Sequence, residues 1–173
     1  MGDAMNPGLL ASLDHYSRNT LPVAVTVAFI LLGSLPYGAP YIGPVFPALT
    51  LMSIYYWSIY RPELIPAWAV FLIGIFQDVL QGTPLGLTAL VLLLVHGFVM
   101  TQRRVFLGKT FLVVWWGFAL VAVGANFVNW LIASFWNTTF LDFGPVFVQL
   151  LLSMALYPCL SWMFVKIQRS ALG

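Results

Sequence analysis

Charge is what this 173-residue sequence has least of. Seven Lys or Arg and five Asp or Glu make up 7% of it, against 61% hydrophobic residues and a mean hydropathy of +0.95. Soluble domains are about a quarter charged, so an ordinary soluble domain is excluded. The one cysteine, Cys159, sits inside an apolar run and excludes both an intramolecular disulfide and a cysteine metal site. Of two histidines only His96 falls in an apolar segment, and one histidine builds no metal centre. The motifs HExxH and GxxxxGK[ST] are missing, as are paired carboxylates for acid–base work. No motif places a serine beside His96, as intramembrane serine proteolysis would need. Proton-coupled transporters carry buried carboxylates near the midplane, and here a lone acid stands off-centre. A net charge of +2 offers little to nucleic acid. The expectation is a protein without catalysis, cofactor or metal.

What the sequence does have is apolar length. A helix crossing a hydrocarbon core of about 30 Å needs roughly 20 mostly apolar residues. Six segments qualify, near 21–37, 43–60, 65–82, 85–101, 110–136 and 143–165. The second is the weakest, opened by Pro44 and Pro47 and diluted by Ser53, Tyr55, Tyr56 and Tyr60. Residues 1–20 are polar and lack an apolar stretch before a small-residue cleavage site, so the first run is expected to be a retained span. Arg18, Arg61, Arg103, Arg104, Lys109, Lys166 and Arg169 all fall on one side of a six-span arrangement. By the positive-inside rule both termini are then cytoplasmic. The expected fold is an all-α integral membrane protein, a compact bundle of six transmembrane helices over 21–168, with cytoplasmic tails at 1–20 and 169–173. Trp57, Tyr60, Trp68, Trp115, Trp116, Trp136 and Trp162 lie mostly near span ends, as an interfacial aromatic belt would.

Polar residues within apolar spans each need a partner. Asp78 lies roughly 20 Å along the third span at 1.5 Å per residue, near its outer end. It reads either as a helix-end acid, wetted by the interface and bonded to the next turn's backbone, or as a polar anchor for the bundle's outer end or a partner's contact. Gln77 points elsewhere on the helix, and Gln81 follows it by one turn. In the turn that follows, Gly82 can end the helix left-handed, Thr83 can cap the next helix and Pro84 can open it, while Gly86 lets the two helices close up. Ala119, Ala122, Asn126, Asn129 and Ala133 share one face of the fifth span, as packing glue or as a ligand or partner face. Gln149, Ser153 and Tyr157 form an internal line on the sixth, where Pro158 is expected to kink the helix. His96 reads as a hydrogen-bonded core histidine. The basic loop 102–109 is first an orientation signal, and otherwise a site for a cytoplasmic partner or anionic lipid.

The run RPELIPAWAVFLIGIFQDVLQGTPLGLTALVLLL (61–94), followed by QRRVFLGK (102–109) and LYP (156–158), resembles the rod shape-determining MreD family. The carrying pattern is Asp78, then Gly82, Pro84, Leu85, Gly86, Ala89 and Leu90. The resemblance implies an inner-membrane protein of the bacterial elongation machinery that works in the lipid bilayer with MreC, the MreB filament and the RodA/penicillin-binding protein 2 synthase. It also implies a fold similar to the substrate-binding subunits of energy-coupling-factor transporters, and it brings no catalytic residues. On this reading Asp78, Gln77 and the Gly82–Gly86 turn shape the outer end, and Asn126 and Asn129 pack the core. Arg103, Arg104 and Lys109 then face the filament or anionic lipid. The alternative is a vitamin-like small-molecule-binding transporter subunit, with a cavity lined by Asp78, Gln77, Gln149 or Asn129.

Overall fold

The computed structural model describes residues 22–34, 48–137 and 144–171, and every regular element among them is helical. The helices are α1 (Pro22–Gly33), α2 (Leu49–Tyr60), α3 (Ala67–Gln81), α4 (Leu87–Phe106), α5 (Phe111–Asn137) and α6 (Gly144–Ala171), with a 3₁₀ turn at Pro62–Leu64. The expected tail 1–20 and the loop at 38–42 lie outside the described residues, as does most of the loop at 137–142. By length and composition, α4, most of α5 and α6 can each cross a membrane. α3, with 15 residues, rises only about 22 Å. Large apolar side chains such as Trp68, Leu72, Leu94, Leu120, Phe127 and Leu151 are exposed on the outward faces of α3 to α6. A bundle apolar both inside and outside is one whose solvent is lipid.

The segment that looked weakest is the centre of the fold. Every residue of α2 from Thr50 to Ile59 is buried. A helix without a solvent face must hand each polar side chain to a neighbour, because an unpaired buried polar group costs roughly 1–3 kcal/mol. α2 does so in four directions, and of its enclosed side-chain polar atoms only the Trp57 indole N–H is left without a partner among the described residues. Ser53 bonds Thr26 of α1 at 2.7 Å. The Tyr55 hydroxyl donates to the Val114 carbonyl of α5 at 2.9 Å. Tyr56 donates to Gln168 of α6 at 3.1 Å. Ser58 lies 2.8 Å from Nδ1 of His96 on α4. The ends are held in the same way, with the Ala48 N–H donating to Ser153 Oγ of α6 and Arg103 Nε of α4 donating to the Ile59 carbonyl. Three of the residues that diluted the apolar pattern, Ser53, Tyr55 and Tyr56, are therefore joints of the bundle.

Aromatic rings fill the space around α2. Tyr157 stacks on Phe118 at 4.4 Å and meets Tyr55 edge-on at 5.9 Å, and Tyr56 stacks on Phe164 at 4.9 Å. Trp57 is 0% exposed, which removes it from the expected interfacial belt. Trp68, Trp116 and Trp162 are exposed, while the Trp136 side chain lies outside the described residues.

Ser153 and Tyr157 face inward, as the line on α6 predicts. α6 runs as one helix through Pro158. A proline leaves the carbonyl four residues earlier without its helical donor, and that carbonyl belongs to Met154. Here the indole N–H of Trp115 on α5 donates to the Met154 carbonyl at 3.0 Å. Trp115 is thus a stopper for the proline gap rather than an interfacial anchor.

α3 packs chiefly on α4. The two backbones approach at Gly74, where a Cβ would overlap Ala89 Cα and lie 2.7 Å from its N and 2.8 Å from its Cβ. Gly74→Ala is therefore expected to force the hairpin apart and cost about 1–3 kcal/mol. Gly97→Ala and Gly124→Ala, where an added Cβ meets nothing within 4 Å, should leave stability unchanged or slightly raised. Unfolding of the purified variants in mixed micelles by titrated dodecyl sulfate checks the ranking.

Candidate functional site

Asp78 stands one turn before the end of α3 and is 0% exposed. Its main-chain oxygen accepts the N–H groups of Gly82 and Thr83, the latter at 3.1 Å. The second bond is the six-to-one closure of a Schellman motif, with Gly82 in the left-handed conformation at φ 66°. The carboxylate looks forward across the turn. Oδ1 accepts from Thr83 Oγ1 at 2.8 Å and from the Thr88 N–H at 3.1 Å, and Oδ2 accepts from the Gly86 N–H at 2.8 Å. Gly86 has φ 95° and ends the turn immediately before α4. Opening N–H groups of α4 thus find their acceptor on the preceding helix, at the positive end of the α4 dipole.

This geometry sharpens the reading of the turn. Gly82 and Gly86 hold the left-handed positions. Thr83 does not cap α4 and Pro84 does not open it, because α4 begins at Leu87. The Thr83 hydroxyl instead supports the acid, and the Pro84 carbonyl accepts the Leu87 N–H at 3.1 Å. The Asp78 carboxylate bonds the backbone of the next turn, as a helix-end acid would, but it is enclosed rather than wetted, and its bonds close the hairpin.

The other polar candidates do not join this cluster. Gln77 is half-buried, with Oε1 enclosed and unbonded. Asn126 donates to the Ala122 carbonyl of its own helix at 2.8 Å, and Asn129 keeps an enclosed, unbonded Oδ1. Ala119 and Ala122 on the same face are buried, and the Ala133 side chain lies outside the described residues. Gln149 is half-buried and has an interaction of its own.

At the opposite end of the hairpin, the three predicted cations divide. Arg103 is half-buried and committed to the Ile59 carbonyl, so it caps α2 rather than facing outward. Arg104 and Lys109 are exposed. Arg61 lies 3.5 Å from Glu63.

Sequence reasoning missed three members of this framework. Ser58 pairs with His96 although no motif places a serine there. Ser58 is 0% exposed and His96 nearly so, and the pair joins α2 to α4. Thr88 completes the Asp78 cluster, and Gly74 sets the helix spacing below it. Among the described residues, no group of three metal-ligating side chains comes together. Between α4 and α5 lies an apolar groove of about 220 Å³, lined by residues including Leu94, Val95, Phe98, Leu120, Gly124 and Val128. None of Asp78, Gln77, Asn129 and Gln149 lines it.

The model of the rod shape-determining protein MreD family matches residues 18–169. The chain belongs to that family. It is a family of shape-determining membrane proteins and not of known enzymes. No curated protein and no solved structure matches the chain.

Two substitutions test the framework. Asp78→Ala strips three donors of their acceptor and is expected to cost on the order of 3 kcal/mol. Asp78→Asn turns one acceptor into a donor facing a donor and should cost less but remain measurable. Trp115→Phe is expected to cost about 1–2 kcal/mol with Pro158 in place. It should cost markedly less beside Pro158→Ala, whose restored N–H takes the Met154 carbonyl. A double-mutant cycle on dodecyl sulfate unfolding reads that coupling.

Proposed function

We propose that the chain is a non-enzymatic scaffold of the cell-elongation machinery in the bacterial inner membrane. It would bind the membrane anchor of MreC and thereby help position the RodA/penicillin-binding protein 2 synthase relative to the MreB filament. Membership of the MreD family over residues 18–169 carries this reading. The geometry supports it in one respect: Asp78, Ser58, His96 and Arg103 are consumed in holding helices together, while the outward faces of α3 to α6 present apolar side chains. Such a surface recruits other helices or lipid rather than a polar substrate.

In this reading the six helices of residues 21–168 all span the bilayer, with both tails cytoplasmic and the Gly82–Gly86 turn on the periplasmic side. The cation distribution supports that orientation: Arg61, Arg103, Arg104, Lys109, Lys166 and Arg169 gather at one end. That end is drawn together by the Arg103–Ile59 and Tyr56–Gln168 bonds. The transporter-subunit alternative calls for a pocket at Asp78, Gln77, Gln149 or Asn129. The carboxylate it would use is already filled by Thr83, Gly86 and Thr88, so the scaffold reading is preferred.

Tagged MreC is expected to bring the full chain down from mild-detergent membranes, and depletion of the chain should turn rods into spheres. A chain that purifies alone, with cells still rod-shaped after depletion, overturns the proposal. Topology is read separately in a Cys159→Ser background. Leu85→Cys should react with a membrane-impermeant thiol reagent on intact spheroplasts, and Lys109→Cys only after they are opened.

A further inference from the structure

The cationic end of the bundle has more charge than its internal structure uses. Arg103 is bound to the Ile59 carbonyl and Arg61 lies beside Glu63, the one acid among the described residues at that end. Arg104, Lys109, Lys166 and Arg169 are exposed and have no carboxylate partner among the described residues. Two of these four, Lys166 and Arg169, sit on the last turns of α6, three residues apart and so on one face. Trp162, one turn earlier on that face, is 67% exposed, and the Lys166 ammonium stands 5.2 Å from its ring centre. An indole under an ammonium holds the cation in place without neutralising it, unlike a carboxylate.

The same face continues toward the middle of α6 through exposed Cys159, Leu156 and Leu152. From Leu152 to Trp162 is ten residues, about 15 Å of helix, which matches the half-thickness of a hydrocarbon core of about 30 Å. The profile along α6 is thus one leaflet of acyl contact, then an indole at interface depth, then two uncancelled cations at headgroup level. We propose that the Trp162–Lys166–Arg169 face of α6 is the seat of an anionic phospholipid. Its phosphate would lie between the Lys166 ammonium and the Arg169 guanidinium, its glycerol region against the Trp162 ring, and one acyl chain along Leu152, Leu156 and Cys159.

The test uses the full chain released from micelles containing equimolar phosphatidylglycerol and phosphatidylcholine, with retained lipid read by native mass spectrometry. Two cations near a headgroup are expected to favour phosphatidylglycerol by roughly tenfold or more. K166Q/R169Q should bring the two lipids to near parity, whereas R104Q/K109Q should keep the preference. The conservative K166R/R169K should keep it too, and W162L should lose part of it with both charges intact. If K166Q/R169Q does not fold, W162L and the fall of the wild-type preference with added sodium chloride decide the matter. Equal retention by the wild type, or preference surviving in K166Q/R169Q, overturns the proposal. Displacement of the lipid by inorganic phosphate at equal concentration would mark a simple anion site and overturn it as well. A face built instead for an acidic cytoplasmic peptide would show no headgroup preference at all.

Discussion

A main-chain group that loses its helical partner inside an apolar bundle has no water to turn to, and this constraint organises the whole molecule. Helix ends and prolines create such groups, and here other helices answer them. Asp78 of α3 takes the opening amides of α4. Ser153 of α6 takes the N–H that precedes α2, and Arg103 of α4 takes a carbonyl in its last turn. Trp115 of α5 takes the carbonyl that Pro158 strands on α6. Each bond repairs one helix and docks a second in the same stroke.

The chemistry of the donors and acceptors follows from where the groups lie. A carboxylate can receive several N–H and O–H groups at once, which suits the crowded turn from Gly82 to Gly86. An indole has one N–H and no acceptor, which suits a single stranded carbonyl flanked by apolar side chains. A guanidinium at the end of α2 is attracted by the negative pole of that helix, while the flexible stem lets the charge sit at the edge of the bundle. Such groups are used for architecture.

Much of this was legible in the sequence. The starts of α3 to α6 fall within two residues of the apolar runs, and Gly82 takes the left-handed position expected of it, whereas Gly86, expected as a point of close approach, is a second left-handed position and the close approach falls at Gly74. What stayed hidden is partnership across distance. Ser58 and His96 are 38 residues apart, and Trp115 and Met154 are 39 apart, so no local pattern links them. Thr83 looked like a cap because the better acceptor, Asp78, belongs to the helix before it. Gly74 is one glycine in an apolar run, and only the proximity of Ala89 reveals its role. The polar residues of α2 were read as weakness because hydropathy counts a hydroxyl as a cost and cannot see who receives it.

The separations of these bonds along the chain also imply a schedule. Everything that closes the α3–α4 hairpin lies close by, the Asp78 carboxylate bonds spanning five, eight and ten residues. That pair can lock as soon as the ribosome has made it. α2 precedes it but cannot be finished then, since Ala48 waits for Ser153 and Tyr56 waits for Gln168, 105 and 112 residues downstream. The innermost helix is made early and satisfied last. Until α6 emerges, α2 carries a bare Tyr56 hydroxyl and an unpaired Ala48 N–H at its start, so a nascent chain truncated before α6 exposes the part of the molecule that membrane quality control is best placed to notice.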